Sequence, residues 1–176
     1  MRKLSMAVAA SLLTFLIGVS VVTFMVVRGD RPLSSLAQPQ VPEGWHAVDA
    51  RGLFKFYLPG SMRLTSDMMS EESAWGSTFS DDKVKLYAEY SSWNESYAPE
   101  YLAKQFEYQE EATTIDGKRG RIQSWRWAEP PFGSAYEAEV RIFDEKGRML
   151  VRMYAECKDR QGVEIAKQIF RTVEFP

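Results

Sequence analysis

The sequence holds few residues suited to nucleophilic chemistry. Cys157 is its one cysteine and His46 its one histidine. Nucleophilic catalysis needs a base beside the nucleophile, so these two form the one thiol–imidazole combination available. Free cysteines are usually small buried apolar residues, and we therefore predict that Cys157 packs in the core and His46 lies at the surface. A single cysteine also excludes an internal disulfide framework and a zinc site built on several thiolates.

Adjacent carboxylates occur at Glu71-Glu72, Asp81-Asp82 and Glu110-Glu111. Neighbouring side chains usually point apart, so these pairs are not ready-made acid–base couples. None of them has the spaced oxygen ligands of a calcium loop. We predict solvated turns and element ends here, with no catalytic residue, no cofactor and no metal. A weak divalent-cation site at the Asp81-Asp82 pair stays open.

One stretch interleaves basic and aromatic residues: Lys118, Arg119, Arg121, Trp125, Arg126 and Trp127. Such a pattern can bind single-stranded nucleic acid. However, the chain has 22 basic and 24 acidic residues and a net charge of −2, which gives no global basic excess. We predict no nucleic-acid partner, and expect these arginines to face Glu137 and Glu139 across a strand pair.

Two polar stretches carry large aromatic residues, and these are the candidate interaction surface. Trp93 and Tyr97 lie in SSWNESY, and Phe132 lies in PPFG. Trp and Tyr are favoured anchors at protein interfaces. The alternative is that these rings fold back over the edge of the sheet as a satellite cluster. Both interpretations stay open at this point.

The amino-terminal region predicts a membrane anchor. Residues 4–27 carry no charge, and at about 1.5 Å per residue a helix of that length exceeds a roughly 30 Å hydrocarbon core. Secretory signals have apolar regions of only about 7–15 residues. We expect an uncleaved single-pass anchor over residues 1–30, a Pro- and Ser-rich linker over 31–42 and a folded domain over 43–176. A short tail before a first span usually stays in the cytoplasm, which puts the domain outside the inner membrane of a bacterium, in the periplasm or beyond.

The domain reads as α+β. Alternation and turn residues predict two short strands around residues 45–58, a weaker strand over 73–79 and a clear one over 84–90. Residues 99–108 are predicted to form a helix, and Asp116-Gly117 a hairpin turn. Long strands follow over 119–128, 135–143 and 149–157, then a helix capped by Asp159 and a short final strand over 172–175. We expect a mainly antiparallel β-sheet flanked by two helices and preceded by one transmembrane helix.

This order resembles the PsbP/Mog1-like fold, an α/β/α sandwich. Residues 53–60 (LFKFYLPG) resemble the opening strand and Pro-ended turn of such domains, and residues 166–175 (AKQIFRTVEF) resemble their closing helix and strand. The resemblance spans about residues 45–175. It implies a mostly non-enzymatic family of photosynthetic accessory subunits, a nuclear-transport GTPase partner, and bacterial envelope proteins. The lipoprotein members carry a lipobox cysteine that this chain lacks, and the resemblance transfers no functional residue.

Two functional hypotheses follow. The first is a membrane-anchored binding or accessory protein that holds a protein partner through Trp93, Tyr97 and Phe132. The second is an envelope hydrolase with a carboxylate pair about 5–10 Å apart in a cleft. A small-ligand or metal carrier is a third alternative.

Overall fold

Nine β-strands and one α-helix form the part of the chain that the computed structural model describes, namely residues 40–67, 73–91, 102–130 and 133–176. The strands are β1 (His46–Asp49), β2 (Lys55–Leu58), β3 (Arg63–Asp67), β4 (Ser73–Ser80), β5 (Val84–Ser91), β6 (Phe106–Ile115), β7 (Lys118–Arg126), β8 (Tyr136–Phe143) and β9 (Met149–Cys157). The helix is α1 (Arg160–Arg171), and a single 3₁₀ turn covers Leu102–Lys104.

Seven strands form one antiparallel sheet in the order β3-β4-β5-β9-β8-β7-β6. Strands β1 and β2 form a separate hairpin. The carboxyl-terminal segment joins that hairpin through two backbone hydrogen bonds between Lys55 and Glu174, of 2.8 and 2.9 Å. The expected final strand is therefore reduced to an isolated bridge at Glu174.

One face of the sheet packs into the core, and we call the opposite side its outer face. On β9 the residues alternate strictly between buried and half-buried, because successive side chains of a strand point to opposite faces of the sheet. Helix α1 covers the core face with an apolar stripe, and the β1–β2 hairpin adds fully buried aromatic and aliphatic side chains. These residues are Val163, Ala166, Ile169 and Phe170 from the helix, and Phe54, Phe56 and Leu58 from the hairpin.

A helix cap and a hairpin turn predicted from the sequence are both present in the structure. Asp159 caps α1, since its carboxylate accepts a hydrogen bond of 2.9 Å from the Gly162 N–H. Asp116 and Gly117 have φ angles of 45° and 75°, the paired positive values of a type I′ hairpin turn. That turn fixes Ile115 opposite Lys118 and so sets the register of β6 against β7.

The predicted helix over residues 99–108 is wrong within the described residues. The four-residue spacing of Leu102 and Phe106 is typical of a helix face, yet only Leu102 is buried. The chain makes one 3₁₀ turn and then enters β6, where Phe106 pairs with Arg126. Pairing along the sheet outweighs the weak local helix signal. The described fold therefore has one helix on one face of the sheet rather than two.

Strand β3 was not expected from the sequence. The predicted anchor over residues 1–30 and most of the 31–42 linker lie outside the described residues. Within the described ranges, no helix is long and apolar enough to cross a bilayer.

Candidate interaction site

A β-bulge interrupts the pairing of β6 with β7 at one end of the sheet. The register shifts between Phe106 and Gln109, and Glu107 has a φ angle of 55°. This left-handed conformation is uncommon for a residue with a side chain, and such strain and such bulges concentrate at functional sites. We call this region the bulge end. It comprises Phe106, Glu107, Trp125, Arg126, Trp127, Tyr136 and Glu137.

Charged side chains hold the bulge against helix α1. The Glu107 carboxylate accepts a hydrogen bond of 3.0 Å from Arg160 and lies 3.2 Å from the Arg126 guanidinium. The hydrogen bond from Arg160 lowers the pKa of Glu107. Beside this contact, a groove of about 520 Å³ opens between the strands and the helix. The buried Lys167 lines it and donates a hydrogen bond of 2.9 Å to the Gln109 side chain.

Phe106 is exposed at the bulge end. Its side chain is 54% accessible, and the Arg126 guanidinium lies 5.4 Å from its ring centroid. Aromatic residues, phenylalanine included, and arginine are enriched at the centres of protein interfaces. Leu64 on β3 is the second exposed large apolar side chain among the described residues, at 53%. It lies on the opposite edge of the sheet, which makes it a matched control for Phe106.

The outer face of the bulge end holds a buried carboxylate beneath two indoles. Glu137 is 2% exposed and lies directly opposite Trp125 on β7 and Glu156 on β9. Trp125 meets Trp127 edge to face at 6.4 Å between ring centroids. Neighbouring large rings thus cover a charged group that would otherwise be solvated.

Burial raises the pKa of Glu137, and the nearby Glu156 carboxylate adds to the effect. The Tyr154 hydroxyl and the Trp127 indole partly offset it by hydrogen bonding. The Trp125 indole lowers the pKa of Glu137 to a smaller extent. Burial and the neighbouring Glu137 in turn raise the pKa of Tyr154.

Glu139 lies two residues further along β8 in a different electrostatic setting. It is also 2% exposed, but its carboxylate lies 3.0 Å from the Arg141 guanidinium and 2.5 Å from that of Arg152. By contrast, the leading causes of the shift in the Glu137 pKa are burial, hydrogen bonds from neighbouring side chains and the like-charged Glu156. The two glutamates therefore differ in their charge partners and not in their burial.

The predicted ladder from the β7 arginines to Glu137 and Glu139 is wrong. Trp125 lies opposite Glu137, Gln123 lies opposite Glu139, and Arg121 lies opposite Arg141. The arginines of β7 pair with the other neighbouring strand, through Arg121–Glu110 at 3.5 Å and Arg126–Glu107 at 3.2 Å. The register of β7 against β8 decides this, and composition does not reveal it.

The structure confirms the expected positions of the cysteine and the histidine. Cys157 is fully buried at the end of β9, and burial raises the pKa of its thiol to about 12. His46 is exposed on β1. A thiol so placed is not activated as a nucleophile.

Asp81 serves the turn before β5. Its carboxylate accepts hydrogen bonds from the Ser61 hydroxyl at 2.7 Å and from the backbone N–H groups of Lys83 and Val84 at 2.9 Å. Partial burial would raise its pKa, but these hydrogen bonds outweigh burial and lower it. In the described part of the chain, no three His, Cys, Asp or Glu residues come together as a metal-binding group. Glu110 and Glu111 lie opposite Gln123 and Ile122, so they point to different faces of the sheet.

The predicted surface residues Trp93, Tyr97 and Phe132 lie outside the described residues. The residues that flank these segments are described. Trp127 and Tyr136, on either side of the Phe132 segment, both lie at the bulge end. The Trp93–Tyr97 segment runs from Ser91 to Leu102, and Ser91 ends β5 at the opposite end of the strands from Phe106. Sequence reasoning missed Phe106 and Glu107, because the helix prediction concealed the bulge.

Comparison with known proteins supports the fold. No family model and no curated protein matches the chain. Among solved structures, the solution structure of cyanobacterial PsbP from Synechocystis matches with a TM-score of 0.50 and 13% sequence identity. The match covers 82% of this chain and 99% of that chain. The described domain therefore has a PsbP-like fold, and at this identity the likeness establishes the fold alone.

Proposed function

We propose that this chain is a membrane-anchored, non-enzymatic accessory protein of the bacterial cell envelope. Its domain holds a protein partner at the membrane through the bulge end. The observation that carries the proposal is the exposed Phe106 ring beside Arg126, next to the strained backbone of Glu107. The sequence-based hypothesis assigns Trp93, Tyr97 and Phe132 to the partner surface as well, and these three residues lie outside the described part of the chain.

The electrostatics of the domain support binding over catalysis. The Glu139 carboxylate is neutralised by two arginines, and Glu137 is 2% exposed beneath indole rings. Neither carboxylate is presented to a substrate in solution. PsbP-like domains of the accessory type are compatible with this interpretation.

A carboxylate-based hydrolase is the second candidate. It is favoured by one observation, the placement of Glu137 directly opposite Glu156. Cross-strand neighbours have Cβ atoms about 4.5–5.5 Å apart, which can place two carboxyl groups at the separation of about 5–10 Å that glycosidases use. Glu137→Gln separates the two functions, since a hydrolase would lose turnover of a glycan or peptide substrate. A binding protein would keep its partner.

Co-purification from native membranes tests the proposal. The tagged full-length chain is crosslinked mildly, and partner yield is compared among the unaltered chain, Phe106→Ala and Leu64→Ala. We expect a stoichiometric partner whose yield falls with Phe106→Ala and is unchanged with Leu64→Ala. Equal yields for the two variants, with equal melting temperatures, would contradict the proposed surface.

The magnitude follows from the exposed area. A phenylalanine contributes on the order of 200 Å² on burial, so a 54% exposed ring offers about 110 Å² to a partner. At about 25 cal/mol per Å², burying that area stabilises the complex by roughly 2.8 kcal/mol. This corresponds to a dissociation constant raised roughly 100-fold when the ring is removed.

Protease accessibility tests the proposed location. Protease added to intact spheroplasts should digest the domain while the 4–27 segment stays with the membrane. Full protection until lysis would place the domain on the other side.

A further inference from the structure

We propose that two copies of this chain pair through the free edge of β6, antiparallel and about a two-fold axis at Ala112. This surface is separate from the bulge end and does not depend on the proposed partner. It would join the two seven-stranded sheets edge to edge.

The edge of β6 is open along its regular part. Among the described strands, β6 stands last in the sheet and pairs with β7 alone. From Gln109 to Thr114 its residues are exposed, except for the half-buried Thr113. Natural edge strands are usually protected by Lys, Pro, shortness or a bulge. Residues 109–115 contain no Lys and no Pro, and the bulge precedes them.

The opposite edge of the sheet is protected by contrast. Strand β3 has five residues, and its register shifts between Leu64 and Ser66. It also begins with the charged Arg63. Strand β6 also begins with a register shift and carries glutamates, but its ten residues leave a regular stretch over 109–115 that the five-residue β3 does not have. Strand β6 is therefore the better template for a further strand.

The hairpin turn determines which backbone groups point outward. In a two-residue hairpin, Ile115 and Lys118 form the first hydrogen-bonded pair, and such pairs then alternate along the ladder. Glu110, Ala112 and Thr114 therefore direct their N–H and C=O groups away from β7. Three donors and three acceptors lie at regular spacing on this edge.

Charge selects the register of self-pairing. A two-fold axis at Ala112 places Glu110 opposite Thr114 of the second copy, and Glu111 opposite Thr113. An axis at Glu111 would oppose that glutamate to itself, and an axis at Thr113 would oppose Glu110 to Asp116. Like charges directly opposite each other destabilise a strand pair, so the axis at Ala112 is favoured.

The axis at Ala112 leaves the ion pairs of the β6 glutamates in place, with each glutamate facing a threonine of the second copy. Glu110 lies 3.5 Å from the Arg121 guanidinium, and Glu111 lies 2.6 Å from that of Arg171. These exposed ion pairs reduce the negative charge of the edge, but they do not remove the repulsion that disfavours the other registers.

Site-specific disulfide formation in native membranes tests the register. Single cysteines replace Glu110, Ala112 or Thr114 in the full-length chain, with Cys157→Ser as background. Opposed residues of a hydrogen-bonded pair have Cα atoms about 5.5 Å apart, within the range a disulfide spans. Identical positions two residues from the axis lie roughly 14 Å apart. We expect Ala112→Cys to crosslink to itself, and Glu110→Cys to crosslink with co-expressed Thr114→Cys.

Equal crosslinking at all three single positions would indicate random collision and overturn the proposal. The absence of any crosslink, or an adduct of Ala112→Cys with a different protein, would overturn it as well. Thermal melting of each variant shows that the domain is folded.

Two lysine substitutions test the same register by charge. Ala112→Lys places two like charges at the axis and should reduce the yield of crosslinked dimer by up to about fivefold. The yield is measured with a short photocrosslinker that does not react with amines. Thr114→Lys faces Glu110 of the second copy and should preserve or strengthen the dimer. Loss of the dimer in both variants would refute the register. Partner co-purification with Ala112→Lys should stay unchanged, which separates this inference from the proposed function.

Discussion

Glu137 and Glu139 provide two matched substitutions whose expected effects on stability have opposite signs. Both lie on the outer face of β8, two residues apart, and each is 2% exposed. Replacing either by glutamine keeps the shape of the side chain and removes its charge. Any difference between the two changes in the free energy of unfolding therefore depends on the charges around each glutamate.

Glu139→Gln should destabilise the domain. It leaves Arg141, whose side chain is 9% exposed, without the carboxylate that lies 3.0 Å from it. Removing one partner of a buried ion pair costs about 3–5 kcal/mol, and the glutamine amide still accepts one hydrogen bond, so we expect about 3 kcal/mol. For a chain of this size that is a fall in melting temperature of roughly 6–12 °C.

Glu137→Gln should stabilise the domain at neutral pH. The pKa of Glu137 is raised in the folded state, chiefly by burial. Its contribution to stability is thus fully present below the ordinary carboxyl pKa and is lost as pH rises through the folded pKa. The glutamine variant does not lose stability in this way. The difference in free energy of unfolding between the variant and the unaltered chain should therefore grow from about pH 4 to pH 7.

Thermal unfolding of the full-length chain, followed by tryptophan fluorescence in detergent at pH 4 and pH 7, measures both effects. Glu111→Gln serves as a control, since its pair with Arg171 is exposed and should contribute no more than about 1 kcal/mol. Destabilisation by Glu137→Gln at pH 7, or a change below about 1 kcal/mol for Glu139→Gln, would refute the assignment of charges.

Three further predictions concern the helix and the thiol beneath it. Gly162→Ala should lower the free energy of unfolding by roughly 1 kcal/mol, because the new Cβ would lie 3.0 Å from the Lys83 carbonyl oxygen. Alanine usually favours a helix, so equal or higher stability in a denaturant titration would contradict this prediction. Asp159→Ala should cost about 1 kcal/mol by removing the cap of α1, and Asp159→Asn should restore most of it in the same titration. The Cys157 thiol should resist a disulfide reagent in the native chain and react after denaturation; rapid native labelling would show that it is accessible.

The sequence predicted those elements whose signals are local. Strict alternation located β9, and the Asp116-Gly117 pair located a type I′ turn. Asp159 marked the start of α1. In each case the deciding interaction lies within a few residues of the signal, so no knowledge of distant partners was needed.

Elements that depend on distant partners could not be predicted in this way. The local spacing around Phe106 predicts a helix face, and only the strand pairing shows that Phe106 lies opposite Arg126. Composition suggests that the arginines of β7 face Glu137 and Glu139. The register instead places Trp125 and Gln123 opposite these glutamates. Register comes from turns and packing across the whole sheet, which a single strand does not encode.

The candidate site shows the same division. The polar aromatic segments with Trp93 and Phe132 were predicted from composition and lie outside the described residues, whereas Phe106 and the strained Glu107 emerged from strand pairing. The buried setting of Glu137 likewise depends on its cross-strand neighbours. Residue type was visible in the sequence, and the environment of each residue was not.

Photocrosslinking from position 106 tests the central claim most directly. A photoreactive phenylalanine replaces Phe106 or, as control, Leu64 in the full-length chain, and intact membranes are irradiated. These positions have nearly equal exposure, 54% and 53%, on opposite edges of the sheet. The account predicts one defined adduct with a different protein from position 106 and none from position 64. No adduct at position 106, or the same adducts from both positions, would contradict it.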